Sequence, residues 1–209
     1  MHNLKKTTLG ELIANAISHG LGALFAIVGL VLLIIKSNTT TEVLSSIAFG
    51  TSMIVLYLSS TLFHSFPERM KRVYSVFQRL DHSSIFILIS GTYTPFLVLL
   101  VRTKEAYILL IILWTITVFG IVFKSIWIDK FKYVHLAIYL IMGWSIVFII
   151  NEVYYQVGDA FLFVLLGGIS YTVGVAFYVA KFKYNHFVWH LFVLGGTVFH
   201  FIAVYGYLL

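Results

Sequence analysis

The sequence predicts an all-α integral membrane protein, a bundle of seven transmembrane helices with its N-terminus in the cytoplasm and its C-terminus outside. Three observations predict this fold class: the composition, seven long apolar runs, and the distribution of Lys and Arg between those runs. Hydrophobic residues make up 60% of the 209 residues and charged residues only 11%, whereas soluble domains carry about 25% charged residues. Because so few charges cannot cover a water-exposed surface, a soluble all-helical core is excluded.

The seven apolar runs are each close to the ~20 residues that a helix needs to cross a bilayer. Uncharged runs of this length without alternating polarity indicate helices rather than barrel strands. The runs lie at about 17–35, 43–63, 83–101, 106–123, 133–150, 160–180 and 187–209. Since no Pro/Gly/Ser-rich linker or low-complexity tract divides the chain, we expect residues 1–209 to form a single membrane domain.

Lys and Arg are unevenly divided between alternate connections. The connections of one set hold eleven of them: Lys5, Lys6, Arg69, Lys71, Arg72, Arg79, Lys124, Lys130, Lys132, Lys181 and Lys183. The other set holds three, Lys36, Arg102 and Lys104. The positive-inside rule places the first set in the cytoplasm, and an odd number of spans then places Leu209 outside a plasma membrane. The pI near 9.4 is therefore a topology signal and does not indicate binding to nucleic acid.

Local signals mark several helix ends. Thr8 and Glu11 have the spacing of a capping box, and we expect an amphipathic turn to lead from them into the first span. Pro67 should end the second span soon after His64, and Pro95 should kink the third. One face of the helix after Thr8 carries four polar residues, Glu11, Asn15, Ser18 and His19.

Ionisable residues at one depth form the candidate site. His64 ends the second span, Asp81 starts the third, and His186 and His190 start the seventh, so all four are expected at the cytoplasmic side. Intramembrane ionisable groups are costly enough to be functional candidates. Because the chain has no Cys, a metal would have to be held by His, Asp or Glu.

His186 and His190 are four residues apart, which places both side chains on one helical face, about 6 Å apart along the axis. His64 has the depth to supply a third ligand. Three His ligands with an open fourth position for water form a catalytic zinc geometry. A lone His-x-x-x-His pair is also compatible with histidines solvated at the membrane interface, so from spacing alone both interpretations stay open.

The other polar residues have alternative interpretations. Asp81 can cap the third helix or pair with Arg79 as readily as take part in catalysis. His200 is ten residues beyond His190, about 15 Å deeper, which is too far to complete the same site. Three further histidines are expected to be interfacial or packing residues: His19, His82 and His135.

These residues resemble the bacterial hemolysin III family, within the progestin and adipoQ receptor superfamily. The resemblance covers essentially the whole chain. It rests on Glu11, Asn15, Ser18, His19 and Gly20, on Ser60 to His64, on Arg79-Leu80-Asp81-His82-Ser83, on Gly91-Thr92-Tyr93-Thr94-Pro95, and on His186 to His190 with His200-Phe201.

The resemblance implies a zinc ion at the cytoplasmic end of the bundle, bound by His64, His186 and His190. Asp81 matches an acidic residue that contacts the water on the metal, and Ser60 matches a serine beside the metal. The superfamily is similar to alkaline ceramidases, which hydrolyse lipid amides.

Three functions follow as hypotheses. The first is zinc-dependent hydrolysis of an amide bond, as in ceramide, or an ester bond of a membrane lipid. The second is a pore-forming hemolysin or cytolysin, which needs polar residues along the length of some helix; we find no such stripe in the sequence. The third is a non-catalytic regulator of membrane lipid homeostasis in which the zinc is structural. Each has membrane lipids as partners.

Overall fold

A computed structural model describes residues 7–128, 130–154, 156 and 158–209 of the chain. Regular structure within these ranges is entirely helical. In this described part, seven helices are long and apolar enough to cross a membrane. The prediction of an all-α, seven-span membrane protein is confirmed, and its orientation stays a prediction. Lys5 and Lys6, which entered the charge count, lie outside the described residues.

Each predicted span falls on a long helix. The helices are α1 (Leu9–Lys36), α2 (Thr40–Ser65), α3 (Lys71–Pro95), α4 (Lys104–Ile126), α5 (Lys132–Gly143), α6 (Ile150–Tyr154), α7 (Ala160–Val179) and α8 (Asn185–Ala203). The fifth span continues from α5 as a 3₁₀-helix, Ser145–Ile149. α3 and α8 continue as π-helices, Phe96–Val101 and Val204–Leu208.

The predicted signals at α1 and α2 are borne out. Thr8 Oγ1 accepts from Glu11 N at 3.3 Å, and Glu11 Oε2 accepts from Thr8 N at 2.8 Å, which completes the capping box. Because α1 starts at Leu9, the predicted amphipathic turn and first span form one continuous helix. α2 ends at Ser65, with Phe66 extended before Pro67.

Asp81 lies inside α3 rather than at its start. The helix begins at Lys71, ten residues earlier, so the interpretation of Asp81 as a helix cap is wrong. Hydropathy missed this part of the helix because residues 71–82 are mostly polar. The alternative partner, Arg79, donates from Nε to the Ser125 carbonyl at 2.8 Å and thereby joins α3 to α4.

Two irregularities shape the middle of the bundle. At Pro95, which has no N–H, α3 changes from α-helix to π-helix. α5 ends at Gly143, where Tyr93 of α3 fills the gap in the hydrogen-bond ladder. The Tyr93 hydroxyl donates to the Gly143 carbonyl at 2.7 Å and accepts from Ile146 N at 3.0 Å. Both backbone groups at the break are thus satisfied inside the membrane.

The outer surface of the bundle is apolar and much of its interior is polar. Phe25, Ile35, Ile111 and Phe119 are exposed, as expected for side chains that face lipid. α1 packs along α2, α2 along α3, α7 along α8, and α8 returns to α1. Small residues permit this close approach, since a Cβ on Gly91 would collide with Ser52 of α2.

Small polar residues also follow the buried side of α2, contrary to our expectation that no helix carries a polar stripe. They are Ser45, Ser46, Ser52, Ser59 and Ser60. Ser52 Oγ donates to the Phe49 carbonyl at 2.6 Å, and Ser46 Oγ contacts Ser37 Oγ at 3.0 Å. These two serines are therefore bonded within or between packed helices.

Candidate metal centre

Three histidines from two helices meet at one end of the bundle. His64 lies in the last turn of α2, and His186 and His190 lie in the first two turns of α8. One ligand-capable atom from each lies within 4.8 Å of the others. We call His64, His186 and His190 the histidine cluster. The predicted convergence of these residues is thus observed, whereas their binding of a metal stays a prediction.

The local sequence determines where the histidines of the cluster lie on their helices. α2 stops one residue after His64 because Pro67 follows. α8 begins after Tyr184, whose backbone is left-handed with φ of 64°. The spacing of four residues then brings the His186 and His190 rings to 4.7 Å between centroids. His64 and His190 are nearly completely buried, and His186 is partly buried.

The donor atoms of the cluster suit a divalent metal with nitrogen ligands. His64 Nε2 is buried and has no hydrogen-bond partner among the described residues. A buried ring nitrogen is costly unless it is coordinated or hydrogen-bonded. Neutral imidazoles are ordinary ligands of zinc, so the residues present fit such an ion.

α1 holds the His190 ring in one tautomer. His190 Nδ1 lies 3.0 Å from Ser18 Oγ and 3.2 Å from the Asn15 carbonyl oxygen. Ser18 Oγ already donates to the same carbonyl at 2.9 Å. Both oxygens therefore accept from Nδ1–H, and the lone pair of His190 lies on Nε2. Support of this kind orients the ring of a metal ligand.

The polar face of α1 thus surrounds the cluster, a role that sequence reasoning did not assign. The His19 ring stacks on the His190 ring with centroids 3.5 Å apart, consistent with the expected packing role. Glu11 Oε1 accepts from Tyr184 N at 2.9 Å and so ties the start of α1 to the start of α8. The sequence does contain a signal for this role, because the four polar residues are spaced to lie on one side of α1.

The two predicted catalytic side chains lie beside the cluster. Ser60 is one turn before His64 on α2, and Asp81 of α3 lies next to it. Ser60 Oγ is buried and makes no hydrogen bond of standard geometry with the described residues. Asp81 is partly buried, with Oδ2 3.5 Å from His82 Nδ1. Ser60, Asp81, His186 and His190 all line one cavity.

This cavity, of about 290 Å³, runs from the cluster into the bundle. Most of its wall is apolar and comes from α3, the fifth span, α7 and α8. Its volume is near the lower end of the range for small-molecule sites, ~300–1,000 Å³. A carboxylate, a hydroxyl and imidazoles at one end of an apolar chamber suit a ligand with a polar head and a hydrocarbon chain.

The other histidines that the structure describes lie outside the cluster. His82 Nδ1 bonds to the Gln78 carbonyl at 2.8 Å, and the buried His135 packs on Phe123 with ring centroids 5.1 Å apart. His200 Nε2 bonds to the Val164 carbonyl at 3.1 Å. The expectation that His200 is separate from the cluster agrees with this placement.

Comparison with known proteins identifies the family. Residues 9–201 match the family model described as Haemolysin-III related. The chain belongs to the haemolysin-III-related family. It is 44% identical to Hemolysin-3 of Bacillus cereus, over 95% of this chain and 92% of that protein. It is 41% identical to the Hemolysin-3 homolog of Bacillus subtilis strain 168, over 96% and 95%.

A more distant relative extends the comparison beyond bacteria. The chain is 28% identical to the human Monocyte to macrophage differentiation factor, over 97% of this chain and 87% of that protein. The predicted resemblance to the hemolysin III family is confirmed.

Proposed function

We propose that this haemolysin-III-related protein is a zinc-dependent hydrolase of an amide bond, as in ceramide, or an ester bond in a membrane lipid. The main observation in support is the histidine cluster, whose potential ligand atoms lie within 4.8 Å of one another beside an apolar cavity. His64, His186 and His190 would hold the ion. A bound zinc ion would lower the pKa of water toward ~7 and polarise the scissile carbonyl.

The side chains around the cluster have roles in this proposal. Asp81 accepts the proton of the attacking water and returns it to the departing amine or alcohol. Ser60 Oγ, which lacks a partner of standard geometry, donates to the carbonyl oxygen as negative charge develops there. The apolar wall of the cavity holds the hydrocarbon chain and keeps bulk water away from the reacting bond.

Replacing the Asp81 carboxylate tests the proposed hydrolysis. Purified Asp81→Asn should retain its zinc but release labelled fatty acid from a fluorescent ceramide, or from a matched ester lipid, about 10²–10⁴-fold more slowly than wild type. Asp159→Asn is the control. Asp159 is exposed and lies just before α7, at the opposite end of that helix from its connection to α8. Zinc-loaded wild type that hydrolyses neither lipid would leave the structural-zinc regulator as the better account.

The name Hemolysin-3 of the bacterial relatives supports pore formation as a second candidate. The serines along α2 also provide polar groups at several depths. Against a channel, Ser52 and Ser46 are engaged in hydrogen bonds, and Ser60 alone of the five serines lines the cavity. The geometry therefore favours hydrolysis over conduction.

The orientation belongs to the same proposal. With its N-terminus in the cytoplasm, the protein would present the histidine cluster at the inner face of the plasma membrane. Reporter tags fused before Met1 and after Leu209 should then be on opposite sides, with only the second accessible from outside intact cells. Tags on the same side would contradict seven crossings.

A further inference from the structure

The cavity wall also contains two polar side chains far from the histidine cluster. Thr92 lies on α3 and His200 on α8, and both line the cavity. They are 6% and 8% exposed. Thr92 Oγ1 and His200 Nδ1 have no hydrogen-bond partner among the described residues. We call Thr92 and His200 the deep pair.

Thr92 and His200 lie on neighbouring parts of the cavity wall. Phe96 follows Thr92 by one turn on the same face of its helix, and its ring centroid is 6.0 Å from that of His200. Their depths also agree, because Thr92 is eleven residues beyond Asp81 and His200 ten beyond His190. At 1.5 Å per residue, Thr92 lies about 16 Å further into the membrane than Asp81, and His200 about 15 Å further than His190.

Hydrogen bonding fixes what the deep pair offers to a ligand. The Val164 carbonyl, 3.1 Å from His200 Nε2, can only accept, so Nε2 carries the proton. Gly167 leaves room for this ring, because a Cβ there would collide with it. In a neutral imidazole Nδ1 is then an acceptor, while the Thr92 hydroxyl is available as a donor.

An alcohol carries the donor and the acceptor that these two atoms lack. Its O–H donates to His200 Nδ1, and its oxygen accepts from the Thr92 hydroxyl. A ketone or ester oxygen would serve Thr92 but leave Nδ1 without a donor. The surrounding wall is hydrocarbon, with Leu88, Ile89 and Val193 among its residues, and unpaired polar atoms in such a place are costly.

We propose that the deep pair binds a hydroxyl group carried part-way along the acyl chain of a lipid in the cavity. The protein then prefers hydroxylated chains to plain ones. The inference rests on the proposed function for one premise, that an acyl chain occupies the cavity with its polar end at the histidine cluster.

Equilibrium binding tests this preference without requiring turnover. The probe is radiolabelled palmitate bound to purified, detergent-solubilised protein, displaced by stearate or by a stearate hydroxylated near mid-chain. Wild type should bind the hydroxylated acid about tenfold more tightly, the effect of pairing two otherwise unsatisfied groups. Equal displacement by the two acids would overturn the inference, as would failure of either acid to bind. Neither result bears on hydrolysis, which has its own assay.

Variants assign the preference to the deep pair. Thr92→Val removes the hydroxyl at nearly constant shape and should weaken the preference, leaving only the bond to His200 Nδ1, while stearate affinity stays within about twofold. Thr115→Val is the matched control, because Thr115 is exposed and bonded to its own helix at the Ile111 carbonyl. An undiminished preference in Thr92→Val would contradict the proposal. If Thr92→Val loses stearate binding too, Thr92→Ser decides, since the proposal requires that variant to keep the preference.

Discussion

The histidine cluster and the deep pair place the same residue type on one helix at two depths, in different surroundings. Near the start of α8, two histidines meet a third from α2, and α1 supplies oxygens that orient the His190 ring. Ten residues further on, His200 Nε2 bonds to the Val164 carbonyl, and its Nδ1 is buried with no partner among the described residues. Convergence and support, rather than residue type and burial, therefore distinguish the candidate metal site from a polar contact.

The largest expected difference between the two regions is in metal binding. If the proposed site binds zinc, wild type should contain about one zinc per chain, and His190→Ala should lose it, because only two of the three ligands would remain. Since an ion on the histidine cluster would join α2 to α8, a chelator should lower the melting temperature of wild type and leave His190→Ala nearly unchanged.

His200→Ala is the matched control for that experiment. It should keep its zinc, measured by elemental analysis, and its response to the chelator. Zinc retained in His190→Ala, or lost in His200→Ala, would remove the distinction between the two regions.

An intermediate effect, on stability, is expected at Gly167, which packs against the His200 ring. Gly167→Ala should lower the free energy of unfolding by about 1–3 kcal/mol, because the new methyl group displaces the ring from the Val164 carbonyl. Zinc content should not change. Gly168→Ala is the adjacent control, since its Cβ would meet Trp144 at an ordinary 3.7 Å. Similar melting temperatures of both variants in detergent would contradict the close packing of His200 against Gly167.

The smallest effect concerns the support of His190. Ser18→Ala removes one of the two oxygens that accept from Nδ1, so zinc affinity should fall about tenfold, as for other changes in residues that orient a ligand. Competition with a calibrated chelator measures it. Ser46→Ala, a buried serine bonded to Ser37, should bind zinc as wild type does. An unchanged affinity in Ser18→Ala would mean that the Asn15 carbonyl alone orients the ring.

Sequence reasoning succeeded where a property is local or set by the bilayer. Hydropathy and the proline after α2 place His64 at a helix end, and the spacing of four residues places His186 beside His190. Together these predict three imidazoles at one depth, which the fold brings together.

It failed where the cause lies between helices or outside the apolar window. Asp81 was expected near a helix start because the first turns of α3 are polar and a hydropathy window ignores them. The break after α5 depends on the Tyr93 hydroxyl, which no pattern within residues 133–150 reveals. The role of Ser18 likewise requires the packing of α1 on α8.

The link between Glu11 and Tyr184 has a consequence for the order of assembly. A ribosome releases α1 first and α8 last, yet the Glu11 carboxylate joins their starts, and His190 takes its orientation from α1. No partly synthesised chain can therefore hold the complete cluster, however many of its earlier helices have already entered the bilayer. Any metal ion that the cluster binds would therefore be loaded last in the biogenesis of this protein, and a chain interrupted before α8 would carry only His64 of its three histidines.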